Sequence, residues 1–256
     1  MKEIDESKLI LIDSNGIRTD GRRWNELRPL RIRVGILDRA EGSALVEMGK
    51  TKALATVYGP KEMFPKHMAN PDRAILRAAY RMATFSVEER KKPQPSRREL
   101  ELSKVIKEAL EPAIMLHYYP RTVIEVYILI LQADGGTRTA AINAASLALA
   151  DAGIPMKGLV TAVAAGRVGD QVVLDLNDVE DKYGDADLPV AMIPATGEIT
   201  LLQMDGTMSS DMFERALKLA IEGINIIYER QRDALKRRFL ELKEKILGGE
   251  FYASRD

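Results

Sequence analysis

The hydrophobic pattern switches between the two-residue period of strands and the longer period of helices. Arg31-Ile32-Arg33-Val34 alternates polar and apolar residues, as a strand with one wet face does. Ser43–Glu47 and Lys52–Tyr58 read as the arms of a hairpin around Gly49-Lys50. Pro60–Asp72 is a polar, proline-bearing stretch that predicts a loop. Ala74–Phe85 satisfies both periods: Ile75, Ala79 and Ala83 suit a helix, whereas Leu76, Ala78, Tyr80 and Met82 suit a strand. Glu88–Arg98 is again polar and predicts a loop.

Ser96-Arg97-Arg98-Glu99 has the form of a capping box, in which a serine and a glutamate satisfy the free amides at a helix start. The helix that follows carries Leu102, Val105, Ile106, Ala109 and Leu110 on one face, and Pro112 ends or kinks it. Thr122–Gln132 predicts a buried strand, and Thr139–Ala152 a helix closed by Gly153 and Pro155. Strands are expected at Leu159–Val168 and Gln171–Leu176, turning on Gly169-Asp170. A second pair, Val190–Ile193 and Glu198–Leu202, turns on Thr196-Gly197.

A long helix over Ser210–Leu247 carries the stripe Leu217, Ile221, Ile224, Tyr228, Leu235, Phe239, Leu242 and Ile246, and Gly248-Gly249 stop it. Strands followed by helices, twice over, predict a mixed α+β fold of two layers and two pseudo-repeated halves. The expected organisation is an N-terminal extension (1–17), one domain (18–247, halves 18–152 and 153–247) and a short tail (248–256).

Composition narrows the chemistry. The 256 residues contain no cysteine and two histidines, which excludes disulfides, thiol catalysis and multi-histidine metal sites. Lys plus Arg and Asp plus Glu are 38 each, so the chain is not coated in basic charge for nucleic acid, although a local basic channel remains open to it. No apolar run reaches the roughly 18 residues of a membrane span. The acidic Met1–Asp13 lacks a signal-peptide core, so the expectation is a cytoplasmic protein with no membrane partner.

Four segments carry candidate chemistry. In Leu131-Gln-Ala-Asp134-Gly135-Gly136-Thr137-Arg138-Thr139-Ala140 a strand gives way to a helix through two glycines. Such a junction presents backbone N–H groups to an anion, and Arg138 adds a guanidinium. Its spacing matches neither GxGxxG nor GxxxxGK[ST]. Arg97 and Arg98 sit in the first turn of the capped helix, where free amides also favour anions. The acidic run Asp175–Asp187 holds six carboxylates in thirteen residues without the EF-hand spacing, and suits Mg²⁺ beside phosphates or proton donation to a leaving oxygen. The basic loop Lys61–Met68, with Phe64, Lys66 and His67, suits a sugar–phosphate backbone with a stacked base, or simply a loop whose Phe64 turns inward.

Taken together, Asp20-Gly21-Arg22, Glu41-Gly42-Ser43, Val46–Thr51, Pro95-Ser-Arg-Arg-Glu99, LQADGGTRTA, Val173–Leu176 and Asp181…Asp187-Leu-Pro resemble the RNase PH family of phosphorolytic 3′→5′ exoribonucleases, from about Arg18 to Tyr228. Within the family the likeness is greatest to the catalytic ring subunit of the archaeal exosome. The resemblance implies that Arg98, Gly136, Thr137 and Arg138 bind inorganic phosphate as co-substrate. It implies that Asp181 and Asp187 act with Arg98 in catalysis, Asp187 either as general acid or as a ligand of Mg²⁺ or a similar divalent cation, and Asp181 sharing that metal or orienting Asp187. Arg97, Lys66, His67 and Arg73 would guide single-stranded RNA.

The implied partners are a non-catalytic RNase PH-like subunit, completing a hexameric ring of three heterodimers, and RNA-binding cap subunits. Two other readings are a structural RNA-binding ring subunit without chemistry and a homohexameric phosphorolase that trims tRNA 3′ ends.

Overall fold

The computed structural model describes residues 11–13 and 15–247. Its first half builds a five-stranded sheet from β1 (Leu30–Val34), β2 (Gly42–Met48), β3 (Thr51–Glu62), β4 (Ile75–Met82) and β5 (Thr122–Gln132), in the order β1-β2-β3-β5-β4. All neighbours are antiparallel except β4 and β5. A parallel pair needs a long crossover, and here it carries α1 (Arg97–Leu110). The ambiguous Ala74–Phe85 segment is therefore a strand: its pairing with β5 decides what period alone did not, and Leu76 and Tyr80 turn into the core.

The second half builds another five-stranded sheet from β6 (Thr161–Val168), β7 (Gln171–Leu174), β8 (Ala186–Ile193), β9 (Glu198–Leu202) and β10 (Asp205–Gly206). Between the two sheets lies α2 (Thr137–Asp151), touching β2, β3 and β5 on one side and β6 and β8 on the other. Being enclosed, it has no polar face, and its alanines let both sheets come close. Its buried Asn143 is satisfied by the backbone of Ala162, donating to the carbonyl and accepting from the N–H, both at 2.8 Å. The helix α4 (Ser210–Leu247) covers β6, β7 and β8 and reaches β1.

β5 and α4 have the bounds the pattern predicts. Other elements differ for identifiable reasons. The acidic run is not an open loop: Asn177 and Glu180 form a capping box that folds Asp178–Tyr183 into α3. β8 reaches back to Ala186, so Asp187 lies inside a strand, opposite Gly166 of β6 and Asp205 of β10. β3 continues to Glu62, and a 3₁₀ turn fills Lys66–Met68 of the expected loop.

The buried line of α4 runs through Ala216, Ala220, Ile224, Ile227, Gln231 and Ala234, while Leu217, Ile221 and Leu235 flank it and Phe239 is exposed. Small residues take the centre because the helix lies close to β7: a Cβ on Gly223 would meet Leu174 Cδ1 at 2.9 Å. The Gly248-Gly249 stop and most of the N-terminal extension lie outside the described residues.

Candidate active site

Five elements converge on one narrow cleft. It is lined by Arg98 and Leu102 of α1, Gly136 to Thr139 at the start of α2, Ala164 of β6, Asp181 of α3, and Asp187 and Pro189 of β8. Its free volume is only about 30 Å³, whereas hollows of about 510, 650 and 830 Å³ elsewhere contain none of the candidate catalytic or phosphate-binding residues. The cleft is singled out by its chemistry.

The glycines shape the turn that opens α2. Gly135 and Gly136 have φ of 71° and 60°, in the left-handed region that other residues avoid. A Cβ on Gly135 would lie 2.5 Å from the Asn177 carbonyl carbon, so the loop packs directly on the start of α3. Gly136 is the N-cap of α2 and brings no side chain to its amides, which leaves the positive end of the helix for an anion.

Neighbouring side chains fix the rest. The Tyr80 hydroxyl donates to Thr137 Oγ1 at 3.0 Å, and Arg138 Nη1 donates to Gln203 Oε1 at 2.8 Å. Arg138 Nε is buried and has no hydrogen-bond partner in the protein. An orphaned guanidinium N–H in such a cleft fits an oxyanion.

The α1 cap forms as its sequence predicts: Glu99 N donates to Ser96 Oγ, and Ser96 N donates to Glu99 Oε2. Glu99 also accepts the Met82 N–H at 2.7 Å, tying the cap to the end of β4. Arg98 thereby faces the cleft; Arg97, beside it, is exposed and does not line it.

Asp187 is the most perturbed acid in the cleft. Burial raises its pKa to about 7, Asp181 adds to the shift, and Arg138 opposes it. Burial also raises Asp181, against the pull of Arg98. Tyr80 is pushed up to about 12 by burial, so its hydroxyl stays protonated. Among the described residues no group of three or more histidines and carboxylates is arranged to hold a metal by itself. The Asp181/Asp187 pair nevertheless suits Mg²⁺, which takes one or two carboxylates and fills its remaining positions with water and phosphate oxygens. The Asp181 repulsion that adds to the effect of burial on Asp187 is what a cation would relieve.

The remaining sequence candidates lie elsewhere. Lys66 pairs with Glu62 at 2.8 Å on the exposed 3₁₀ turn that also carries His67, and Arg73 pairs with Glu111 at 3.2 Å. Phe64 does not turn inward: it is 82% exposed beside the buried Met63. Sequence reasoning passed over Tyr80 and Gln203. Tyr80 looks like an ordinary core position of an alternating strand, and nothing local marks Gln203 as a partner of Arg138.

A family model described as the 3′ exoribonuclease family, domain 1, matches residues 26–155, and one for domain 2 matches residues 158–223. The chain belongs to the RNase PH family of 3′ exoribonucleases. Its similar relatives include proteins named exosome complex component Rrp41. That of Thermococcus kodakarensis is 60% identical over 94% of this chain and 97% of its own length. Those of Methanopyrus kandleri and Cenarchaeum symbiosum are 56% and 52% identical, over 90% and 91% of this chain and 96% of their own lengths.

Among solved structures, rice Rrp46 superposes with a TM-score of 0.78 at 29% identity, covering 86% of this chain and all of that one. An Archaeoglobus fulgidus exosome structure described as having RNA bound to the active site matches with a TM-score of 0.73 at 24% identity, over 84% of this chain and 93% of that one, and shares the fold. The cleft lies where the two matched family domains meet, with α1 and α2 from the first and Asp181 and Asp187 from the second.

Proposed function

We propose that this RNase PH family member is the catalytic subunit of an exosome-type ring and shortens single-stranded RNA from its 3′ end by phosphorolysis. One observation carries the reading: a single cleft gathers Arg98, the Gly136–Arg138 helix start, Asp181 and Asp187. Inorganic phosphate binds the amides at the start of α2, with Thr137, Arg98 and the unpaired Nε of Arg138. A phosphate oxygen attacks the terminal phosphodiester phosphorus, and the bond to the 3′-oxygen of the preceding nucleotide breaks. Asp187 gives that oxygen its proton, for which a pKa of about 7 suits it.

The product is a nucleoside 5′-diphosphate, and excess diphosphate drives the reverse addition of nucleotides. Arg98 and Arg138 offset charge in the transition state. Mg²⁺ or a similar divalent cation would be held by Asp181, with Asp187 joining as a ligand only once it has given up its proton, and would supply further charge neutralisation.

The partners in this reading are a non-catalytic RNase PH-like subunit, alternating with this one in a hexameric ring of three heterodimers, and RNA-binding cap subunits. Arg97, Lys66, His67 and Arg73 lie outside the cleft and would serve RNA on its way in. The setting is cytoplasmic; among the described residues no helix is long and apolar enough to cross a membrane.

The test is an assay of the purified chain, with and without its ring partner, on unstructured RNA. Shortening that requires phosphate and releases diphosphates supports phosphorolysis. Release of monophosphates without phosphate sinks it, and RNA binding without shortening points to a structural ring subunit.

A further inference from the structure

The segment that enters the domain contains three buried arginines, Arg18, Arg22 and Arg28, at 3%, 8% and 4% exposure. A buried guanidinium carries a large desolvation cost and persists where several groups satisfy it. Arg28 is satisfied from two directions. Its backbone N–H, Nε and Nη2 donate to the Asp175 carboxylate at 2.9, 3.1 and 2.7 Å. Its Nη1 donates to the Asp134 carbonyl, and more weakly to that of Gly135 at 3.4 Å.

Thr51 holds the same turn, donating to the Gly135 carbonyl at 2.8 Å and accepting the Asp134 N–H at 2.9 Å. The guanidinium is so close that a Cβ on Gly136 would meet its Nη2 at 2.9 Å. Asp175 is held in turn with φ of 55°, unusual for a residue with a side chain, and leads through Asn177 into α3 and Asp181. Arg18 grips that helix from below, binding Glu180 through Nε and Nη2 and the Leu174 and Asp175 carbonyls.

We infer that Arg28 is a positioning residue for the reaction. By tying the carbonyls of Asp134 and Gly135 to Asp175, it sets the glycine turn against the acidic helix, so that the phosphate-binding amides and the Asp181/Asp187 carboxylates hold a fixed separation. Arg28 itself does not line the cleft; it acts through the turn. The inference rests on the phosphate site proposed above.

The test compares Arg28→Lys and Arg28→Ala with Thr137→Ala in the assembled complex, measuring KM for phosphate and kcat separately, with thermal unfolding as a control. Lysine keeps the charge near Asp175 but cannot reach both sides of the joint. A variant that merely unfolds a fraction of the molecules lowers apparent kcat and leaves KM unchanged. A displaced turn raises KM for phosphate, by on the order of 10- to 100-fold if the amides move by about an ångström.

Arg28 borders an open hollow of about 650 Å³ with Arg22, Gly49 and Asp134, so added guanidinium can reach the gap left by Arg28→Ala. It should bring the phosphate KM back toward the wild-type value where methylammonium does not. If Thr137→Ala raises the phosphate KM and the Arg28 variants keep the wild-type KM, the positioning role is overturned and the site reading stands. If Thr137→Ala leaves the phosphate KM unchanged, the phosphate site itself is wrong and the role of Arg28 falls with it.

Discussion

Asp187 lies where a carboxylate is costly to ionise, half-buried on β8 between β6 and β10 with Asp181 close by. Its pKa of about 7 in the folded chain exceeds the ordinary 3.8, so the folded state binds the extra proton. The group leaves stability untouched below about pH 4 and weakens the fold progressively as pH rises toward 7; the penalty is complete above that. Asp187→Asn should therefore raise the melting temperature of the chain at pH 8 and change it little at pH 4, which differential scanning calorimetry reads directly. The same substitution removes the acid, so phosphorolysis should fall by on the order of 10²- to 10⁴-fold, and the wild-type rate should decline as pH rises through about 7.

Tyr80 offers a gentler test. Tyr80→Phe removes the donor to Thr137 Oγ1 at a stability cost of about 1 kcal/mol, and should weaken phosphate binding several-fold in a titration of rate against phosphate while the melting temperature falls by only about 2 °C.

Among the elements, helix starts do much of the functional placement. Both α1 and α3 begin with a capping box, and each brings one charged residue of its first turn to the cleft: Arg98 after Ser96, Asp181 after Asn177. Ser96→Ala should cost about 1 kcal/mol in a denaturant titration and should lower activity more than that loss of folded protein explains, because Arg98 loses its fixed turn. Glu180 is wholly buried against Arg18. Removing one partner strands a charge, so Glu180→Leu should destabilise by about 3–5 kcal/mol, whereas the double variant Arg18→Met with Glu180→Leu should recover most of that, as chemical denaturation can show.

These elements also mark where the sequence was legible. Ser96–Glu99 announces its helix because a capping box is local chemistry, and Thr122–Gln132 announces its strand because β-branched, aromatic and aliphatic residues dominate it, although Tyr127 and Leu129 on one face are exposed. The acidic run hid α3, since six carboxylates in thirteen residues look solvated; the role of Glu180 depends on Arg18, 162 positions away. Tyr80, Gln203 and Arg28 were illegible for the same reason. Each acts through a contact distant in sequence, and a lone tyrosine, glutamine or arginine carries no mark of its partner.

For the whole molecule, zero net charge and a nucleic-acid substrate are compatible because the cationic groups are concentrated locally. Arg98 and Arg138 face the cleft, while Arg18, Arg22 and Arg28 are spent on internal carboxylates. RNA affinity should then fall with salt, with a log–log slope matching only a few phosphate contacts, measurable by fluorescence anisotropy between low and moderate ionic strength. A slope as steep as that of a fully basic binder would contradict this charge distribution.

The enclosed α2 has one more consequence. The helix that presents the cleft amides is also the one both sheets close upon, so its backbone hydrogens are among the last to meet solvent. Deuterium should enter α2 only through global opening of the molecule, and the amides beyond its first turn should exchange at the slowest rate in the chain. Catalytic geometry and the folded state then share one threshold: on heating, the enzyme should stay fully competent until the molecule opens as a whole, with no earlier loss of function.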